Sequence, residues 1–239
     1  MSTKAVVSYS GGADSTVLLY HAKRYHDQVV ALSFNYRQRH SKELEYAQYN
    51  TSKLGIEHKI IDISFFKDLA HTSSLTNDSI KVDNVKDMIG EAQPNQYVPF
   101  RNMMLLSISC AAAESYGANY VYHGAAQVDS LAGYWDGADT FIKSINDVVS
   151  LNRKNKIVIH APLLEMSKKQ IIEYGINLGV DFAQTWTCYK GEKLSCGVCP
   201  ACSLRLQGFV EAGYIDPLFY DNQHKIEAVY TSKNCVKVN

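Results

Sequence analysis

Two short segments of the chain carry residues that could do chemistry, and the first lies close to the N-terminus. Residues 10–15 read Ser-Gly-Gly-Ala-Asp-Ser; they follow a short apolar run and open a segment with a helical pattern. Two glycines let a backbone turn tightly and approach an anion closely. Main-chain N–H groups at a helix N-terminus then point at that anion. The segment therefore predicts a phosphate site, to which the hydroxyls of Ser10 and Ser15 add donors.

This segment differs from two common nucleotide-binding motifs. A Walker A loop places a lysine directly after its glycines, whereas residues 13–15 are Ala, Asp and Ser. The dinucleotide fingerprint G-x-G-x-x-G does not fit the segment either. A plain strand-to-helix turn capped by serine is the alternative, and a Gly-Gly pair alone would favour it. The full six-residue string after an apolar strand favours the phosphate site.

The second segment holds four cysteines within 15 residues: Cys188, Cys196, Cys199 and Cys202. Two C-x-x-C spacings that share a residue can wrap one tetrahedral Zn²⁺, and four thiolates close its coordination shell. Such a site would be structural, because no position stays open for a substrate. Redox chemistry at a C-x-x-C pair and an iron–sulfur cluster are the alternatives. Four cysteines this close favour zinc over a simple dithiol.

The elements that must position these residues alternate between strand and helix. Continuous apolar runs are typical of strands in a parallel sheet that is covered on both faces. The fold prediction is α/β with a doubly wound, mostly parallel sheet, which places residues 10–15 at the carboxyl end of the first strand, where ligands bind. Strands are predicted at residues 4–9, 28–34, 58–63, 120–123 and 157–160, and helices at residues 15–26, 41–54, 102–116 and 168–178.

Length and composition argue against several other classes of protein. A chain of 239 residues is typical of one large domain with an appendage. Lys plus Arg is 24 and Asp plus Glu is 24, which argues against a general basic surface for nucleic acid or an anionic membrane. The apolar run at residues 5–7 is too short for a signal peptide core, and no run is long enough to span a bilayer. A cytoplasmic location is therefore expected.

Residues 10–15 resemble the S-G-G-x-D-S loop of the ATP pyrophosphatase (PP-loop) superfamily. Together with the cysteines they make the chain similar to the 7-cyano-7-deazaguanine synthase (QueC) family. The similarity runs from about residue 4 to residue 220. Further matches are residues 36–40 to the family's Y-G-Q-R-H, residues 98–102 to V-P-G-R-N, residues 133–136 to G-Y-P-D and residues 187–191 to T-C-Y-x-G.

This resemblance implies a Rossmann-like fold of the adenine nucleotide alpha-hydrolase type with a C-terminal zinc knuckle. It also implies an ATP-dependent C–N ligase of queuosine biosynthesis, which converts 7-carboxy-7-deazaguanine and ammonia into the nitrile through an acyl-adenylate and an amide. The implied cofactors are ATP, Mg²⁺ and structural Zn²⁺. A homodimer is implied, with neither membrane nor nucleic acid as a direct partner. The matching division is an ATP-binding domain at residues 1–182, a zinc-binding segment at 183–220 and a tail at 221–239.

The catalytic group implied by the resemblance is Asp14, Arg101 and Lys168. Asp14 would help to hold Mg²⁺ on the phosphates. Arg101 and Lys168 lie at predicted helix starts, where a cation can meet phosphate oxygens. A surface ion pair for Arg101 and a solvated side chain for Lys168 are the alternatives. The implied ATP-binding group is Ser10, Gly11, Gly12, Asp14, Ser15 and Gly124.

The implied substrate-binding group is Asp129, Arg39 and His40. Asp129 follows the fourth predicted strand, and a carboxylate is a natural acceptor for the guanine-like N–H edge of the substrate. A loop aspartate that closes a turn is the alternative. Arg39 and His40 follow the second predicted strand, and they either line the site or bridge the two subunits of a dimer.

The sequence departs from the family pattern at several positions. Ala13 and Arg37 stand where the family usually has glutamine and glycine, and Phe100 replaces the glycine of V-P-G-R-N. Gly137 and Ala138 replace the Cys-Arg pair at the end of the family's base-binding stretch. A relative that stops at the amide, or that transfers the activated group to another amine in phage DNA modification or an antiviral system, is therefore an alternative. An RNA-thiolating enzyme and a nucleotide-holding scaffold without turnover are two more.

Overall fold

The secondary structure is taken from a computed structural model that describes residues 3–36, 42–82, 94–127, 134–190 and 193–238. The predictions for Arg39, His40 and Asp129 lie outside these ranges. The strands are β1 (Lys4–Ser8), β2 (Gln28–Asn35), β3 (Glu57–Asp62), β4 (Tyr120–Tyr122), β5 (Val158–His160), β6 (Tyr214–Ile215) and β7 (Val236–Lys237). The helices are α1 (Ala13–Tyr25), α2 (Lys42–Leu54), α3 (Phe66–Leu69), α4 (Arg101–Tyr116), α5 (Asp139–Val149), α6 (Lys168–Leu178), α7 (Pro200–Ala212) and α8 (Gln223–Ser232).

Five strands form one parallel sheet in the order β3-β2-β1-β4-β5. Lys4 of β1 pairs with Gln28 of β2, and Ala5 pairs with Tyr120 of β4 on the other side. Because the chain leaves β1 toward β2 and leaves β4 toward β5, the strand order reverses between β1 and β4. The carboxyl ends of these two strands then border a crevice. The predicted doubly wound parallel sheet is confirmed. Residues 10–15 lie at its topological switch point, which is the place between β1 and β4 where the strand order reverses.

Alternate side chains of β1 pack into two separate hydrophobic cores, one on each face of the sheet. Ala5 and Val7 belong to the core that includes residues of α1, α2, α6, α7 and α8. Val6 belongs to the core that includes residues of α4 and α5. All three side chains are at most 1% exposed. A strand buried on both faces has no polar side to show, which explains its continuous apolar sequence.

The sequence predictions missed four helices and two short strands: α3, α5, α7, α8, β6 and β7. In α5 the apolar residues recur at helical spacing, so a signal was present, and Phe141 and Ile142 are buried. The sequence of α8 is mostly polar, yet its Ile226 and Tyr230 are 8% and 2% exposed and belong to the first core. Two buried positions in ten residues are too few for a periodic pattern. Among the described residues, every helix is too short or too polar to cross a bilayer.

The predicted start of α6 matches the structure, and its cap explains why. The Ser167 hydroxyl accepts the Gln170 N–H at 3.3 Å, and the Gln170 side chain accepts the Ser167 N–H at 2.8 Å. This reciprocal pair is a capping box, which satisfies two backbone donors at once. The cap makes Lys168 the first residue of the helix and directs the start of α6 toward the switch point.

Because Gly11 has no side chain, the backbone of the loop after β1 packs directly against the backbone of α2. Its φ is +91°, and a Cβ built there would lie 2.1 Å from the Glu43 carbonyl oxygen and 2.9 Å from the Ala47 nitrogen. These neighbours are backbone atoms of a helix, so they cannot move aside as a flexible side chain could. The approach holds the phosphate-site loop against α2.

We expect Gly11→Ala to lower the free energy of unfolding by more than about 3 kcal/mol, because it combines a left-handed backbone with a steric clash. Urea denaturation followed by circular dichroism measures this change. Gly55→Ala is the matched control, since Gly55 has φ +62° but nothing within 4 Å of the added Cβ. It should lose only about 1–2 kcal/mol. Equal losses in the two variants would contradict the close approach at Gly11.

Candidate active site and metal centre

A cavity of about 280 Å³ opens at the carboxyl ends of β1, β2 and β4. It occupies the switch point of the sheet, where ligands bind in open α/β folds. Two predicted site residues, Gly11 and Lys168, do not line the cavity themselves. Gly11 packs on α2, and Lys168 is connected to the cavity by its ion pair with Asp14. The predicted residues that line the cavity are Ser10, Gly12, Asp14, Ser15, Arg101 and Gly124.

The hydroxyls of Ser10 and Ser15 hold the loop together. Ser10 Oγ lies 2.9 Å from Ser15 Oγ and accepts the Gly12 N–H at 3.1 Å. The Thr16 hydroxyl donates to the Gly12 carbonyl at 2.8 Å. Gly12 is the N-cap of α1 and has no side chain to cap the helix. The first N–H groups of α1 therefore stay available for an anion at the cavity.

An ion pair joins two of the predicted catalytic residues across the sequence. Lys168 Nζ donates to Asp14 Oδ2 at 2.5 Å, and the two side chains are 14% and 26% exposed. The other carboxylate oxygen, Asp14 Oδ1, is buried and makes no hydrogen bond with the described residues. A buried carboxylate oxygen without a partner is unusual in a folded protein. It gives the site one oxygen that a cation could bind.

Arg101 brings a fixed positive charge to the other side of the cavity. Burial opposes the charge, but Tyr36, Tyr189 and Asp136 raise the pKa of the guanidinium above its usual value. The same guanidinium, together with burial as the larger cause, lowers the pKa of His123 to about 4. His123 is therefore neutral at neutral pH, and the Arg101 charge persists there.

Phe100 precedes Arg101 and has a backbone that suits glycine. Its φ is +52°, a left-handed conformation that costs an L residue roughly 1–2 kcal/mol. The exposed Phe100 ring meets Trp135 edge to face at 5.5 Å between centroids. Tyr97 Oη accepts the Phe100 N–H at 3.2 Å and the Trp135 indole N–H at 2.8 Å. The departure from the V-P-G-R-N motif therefore keeps a left-handed turn directly before Arg101, with aromatic contacts around it.

Glu43 and His123 are ionisable and line the cavity, but neither was among the site residues predicted from the sequence. Glu43 is the second residue of α2, and burial raises the pKa of its carboxyl to about 8, although Arg101 opposes the shift. His123 follows β4 directly and is 8% exposed. Neither residue belongs to a spacing motif, so their position became visible only once the strand ends were brought together.

The four predicted metal ligands converge on one point. The Sγ atoms of Cys188, Cys196, Cys199 and Cys202 all lie within 4.8 Å of one another. The N–H groups of Lys190 and Cys196 donate to Cys188 Sγ at 3.4 and 3.3 Å, and the Cys199 N–H donates to Cys196 Sγ at 3.3 Å. Hydrogen bonds of this kind stabilise metal-bound thiolates. The donor set therefore fits a tetrahedral metal ion of the zinc type.

A buried arginine ties the cysteine segment to the cavity wall. Arg205 of α7 is 1% exposed, and its Nε and Nη2 donate to the two oxygens of Asp216 at 2.6 and 3.0 Å. Its Nη1 donates to Thr185 Oγ1 at 2.7 Å and to Thr187 Oγ1 at 3.2 Å. Thr187 lines the cavity. Sequence reasoning missed this network, because an arginine in a helix carries no signal of its distant partners.

The fold and the site define a class of protein. A parallel sheet with an S-G-G-A-D-S loop at its switch point, before a helix with an open N-terminus, is a nucleotide-binding α/β fold of the PP-loop type. Residues 4–213 match the family described as "Queuosine biosynthesis protein QueC". The chain belongs to this QueC family.

Two curated relatives agree with the family match. The 7-cyano-7-deazaguanine synthase of Alteromonas mediterranea is 43% identical over 222 residues, which cover 92% of this chain and 100% of the relative. The Clostridium kluyveri enzyme of the same name is 41% identical over 226 residues, with 92% and 99% covered. A solved NMN synthetase structure from Francisella tularensis aligns with 100% of this chain and 89% of its own at 17% identity, with a TM-score of 0.48.

We expect Arg205→Met to lower the free energy of unfolding by about 3–5 kcal/mol, because it leaves Asp216 buried without its cation. Urea denaturation of the purified variants measures this. Lys143→Met is the control, since it removes an exposed i,i+4 pair with Asp139 in which the lysine side chain is 73% exposed. The free energy of unfolding of this control should stay close to the wild-type value, because exposed ion pairs contribute little to stability. A small effect at Arg205 would show that the network does not anchor the segment.

Proposed function

We propose that this protein is an ATP-dependent C–N ligase that converts 7-carboxy-7-deazaguanine and ammonia into 7-cyano-7-deazaguanine, AMP and pyrophosphate. The single observation that supports it best is the cavity at the switch point, where the phosphate loop meets Arg101 and the Asp14–Lys168 pair. It lies in a chain that is 43% identical to a 7-cyano-7-deazaguanine synthase over 92% of its length. The names of the relatives favour the nitrile over an amide or another conjugate.

The N-terminus of α1 would hold the triphosphate of ATP. Its free N–H groups and dipole suit an anion, and the loop of Ser10 and Gly12 brings the backbone close to it. Arg101 offers a planar fork for phosphate oxygens. Asp14 would hold Mg²⁺ through its unpartnered Oδ1, since oxygen is the ligand that Mg²⁺ prefers. Mg²⁺ would offset charge on the departing pyrophosphate.

The reaction needs two activations at this site. The substrate carboxylate attacks the α-phosphorus of ATP and pyrophosphate leaves, which gives an acyl-adenylate. Ammonia displaces AMP to give the amide. The amide oxygen then attacks the α-phosphorus of a second ATP and pyrophosphate leaves. AMP departs with the amide oxygen, and loss of the two N–H protons leaves the nitrile. In both activations negative charge develops on the phosphates, between the α1 N-terminus and Arg101, so these groups stabilise the transition state by fixed position and charge.

The substrate end of the cavity is assigned to Asp129, Arg39 and His40. Support comes from the residues on either side of them, since Tyr36 and Glu43 both line the cavity, as do residues 123–125 and 134. Asp129 would accept hydrogen bonds from the guanine-like N–H edge. Arg39 and His40 would line the pocket or join the subunits of a homodimer, which we propose as the working form.

The proposed setting is cytoplasmic, with small molecules and not nucleic acid as the direct partners. The charge balance of 24 basic and 24 acidic residues supports this, because nucleic-acid binding usually draws on a basic field. The cysteines also support it, since four of them converge on one metal position and none of the six forms a disulfide.

We propose Zn²⁺ as the metal at the four cysteines, and we expect a single zinc ion per chain in the purified protein. Elemental analysis by inductively coupled plasma mass spectrometry measures it. Cys199→Ser should lose the zinc and lower the melting temperature, because metal binding contributes to folding. Cys235→Ser is the control and should keep both. Iron in place of zinc, with a visible absorption band, would contradict this assignment.

Mass spectrometry of the reaction of purified protein with Mg·ATP, ammonium and 7-carboxy-7-deazaguanine tests the proposed activity. We expect the nitrile together with two molecules of AMP for each nitrile. Asp14→Ala should lower turnover by at least about 100-fold, because it removes a charge from the phosphate site. Glu173→Ala, on the exposed side of α6, is the control. The amide as sole product would contradict nitrile formation, and full turnover by Asp14→Ala would contradict the role of Asp14.

A further inference from the structure

Glu43 lies beside the phosphate loop and takes no part in phosphate binding or in the two proposed activations. It is the half-buried second residue of α2 (Lys42–Leu54) and lines the cavity. A Cβ placed on Gly12 would lie 3.7 Å from Glu43 Oε1, so the carboxylate sits next to the N-cap of α1. Within the described part of the chain its oxygens make no hydrogen bond or ion pair. The cavity therefore holds a carboxylate that is free to exchange a proton.

The other acid–base groups described at the cavity are engaged or unsuited. Asp14 is paired with Lys168 at 2.5 Å. Asp136 is 3% exposed and accepts a hydrogen bond from the Asn102 N–H. His123, with its pKa lowered to about 4, is a weak base. Glu43 is the group that remains for proton transfer among them.

The surroundings of Glu43 shift the pKa of its carboxyl group in two opposite directions. Burial raises the pKa of its carboxyl to about 8, and the facing guanidinium of Arg101 opposes the shift by favouring the carboxylate. Tyr36 and Tyr9 also face it, and both stay protonated because burial raises their pKa values. A carboxyl group that titrates near the working pH suits general acid–base catalysis.

A base at this place would let the proposed reaction use ammonium, the abundant form of its nitrogen substrate. At neutral pH ammonia is present mainly as ammonium, which has no lone pair and cannot attack an acyl carbon. Ammonium must lose a proton before it can attack, and a base beside the acyl-adenylate would remove that proton where the attack takes place. The adenylate phosphate would lie at the α1 N-terminus, and the Glu43 carboxylate lies beside that same N-terminus.

We propose that Glu43 is the catalytic base that deprotonates ammonium for attack on the acyl-adenylate, an inference that rests on the proposed function. One N–H proton moves to a carboxylate oxygen of Glu43, and the freed electron pair forms the C–N bond to the acyl carbon. The bond from that carbon to the AMP oxygen breaks, and AMP leaves with its electrons. The nitrogen, which then carries three protons, releases one to water and leaves the neutral amide. Glu43 returns its own proton to solvent through the open cavity.

Glu43→Gln tests this role, because glutamine keeps the size and polarity but cannot take the proton. The ammonia-dependent rate should fall by at least about 100-fold. ATP–pyrophosphate exchange with 7-carboxy-7-deazaguanine stops before ammonia enters and should stay within about threefold of wild type. Hydroxylamine already carries a free lone pair at neutral pH, so hydroxamate formation should also stay within about threefold. Glu45→Gln, an exposed neighbour on α2, is the matched control and should match wild type in all three assays.

A pH profile adds a readout that a structural role would not change. At constant total ammonium, the wild-type rate should rise with pH and level off above about 8, as Glu43 loses its proton. The residual rate of Glu43→Gln should keep rising, because it depends on free ammonia alone. Identical profiles for the two proteins would overturn the proposal.

The remaining outcomes separate this inference from the proposed function. A wild-type ammonia rate in Glu43→Gln would overturn the base. A parallel loss of exchange would also overturn it, since that would place Glu43 in nucleotide binding. An equal loss with hydroxylamine would overturn it as well. If wild-type protein itself shows no exchange, the proposed function fails first, because adenylation precedes every step at Glu43.

Discussion

The pairing of β1 with β2 on one side and β4 on the other is the constraint on which the site depends. It brings residues 10–15, from the start of the chain, beside the residues that follow β4 in the middle of the chain. The helices on the two faces then add their first residues, Arg101 from α4 and Lys168 from α6. Because all of these contacts converge on the ends of two strands, a register slip between β1 and β4 would disrupt them together.

The cysteine segment is part of the wall of this site and not a separate attachment. The Trp186 N–H donates to the Gly11 carbonyl at 3.1 Å, and the buried Arg205 holds Thr187 and Asp216 together. A metal at the cysteines would therefore stiffen one side of the cavity without touching a substrate. A metal bound to Cys188 and the buried Arg205, through Thr185 and Thr187, would both fix the same short stretch of chain.

The sequence predicted those parts of the fold and the site whose signals are local. The apolar run of β1, the Ser167 cap of α6 and the converging cysteines all match the structure. The contact of Lys168 with Asp14 joins residues 154 positions apart, so only the folded sheet reveals it. Glu43 could not be recognised for a related reason: an acid in the first turn of a helix usually faces solvent, and its burial depends on the loop after β1.

Trp135, which packs on Phe100 and lies between two cavity-lining residues, Tyr134 and Asp136, gives the protein a built-in optical reporter. The chain has two tryptophans, and the other, Trp186, is 2% exposed where Trp135 is 40% exposed. Indole emission shifts with the polarity around the ring, so the two should emit at different wavelengths. Trp186 lies behind the phosphate loop, and Trp135 lies on the side of the cavity lined by Tyr134 and Asp136. We therefore expect occupation of these two sides of the cavity to change the emission of different tryptophans in the unlabelled protein.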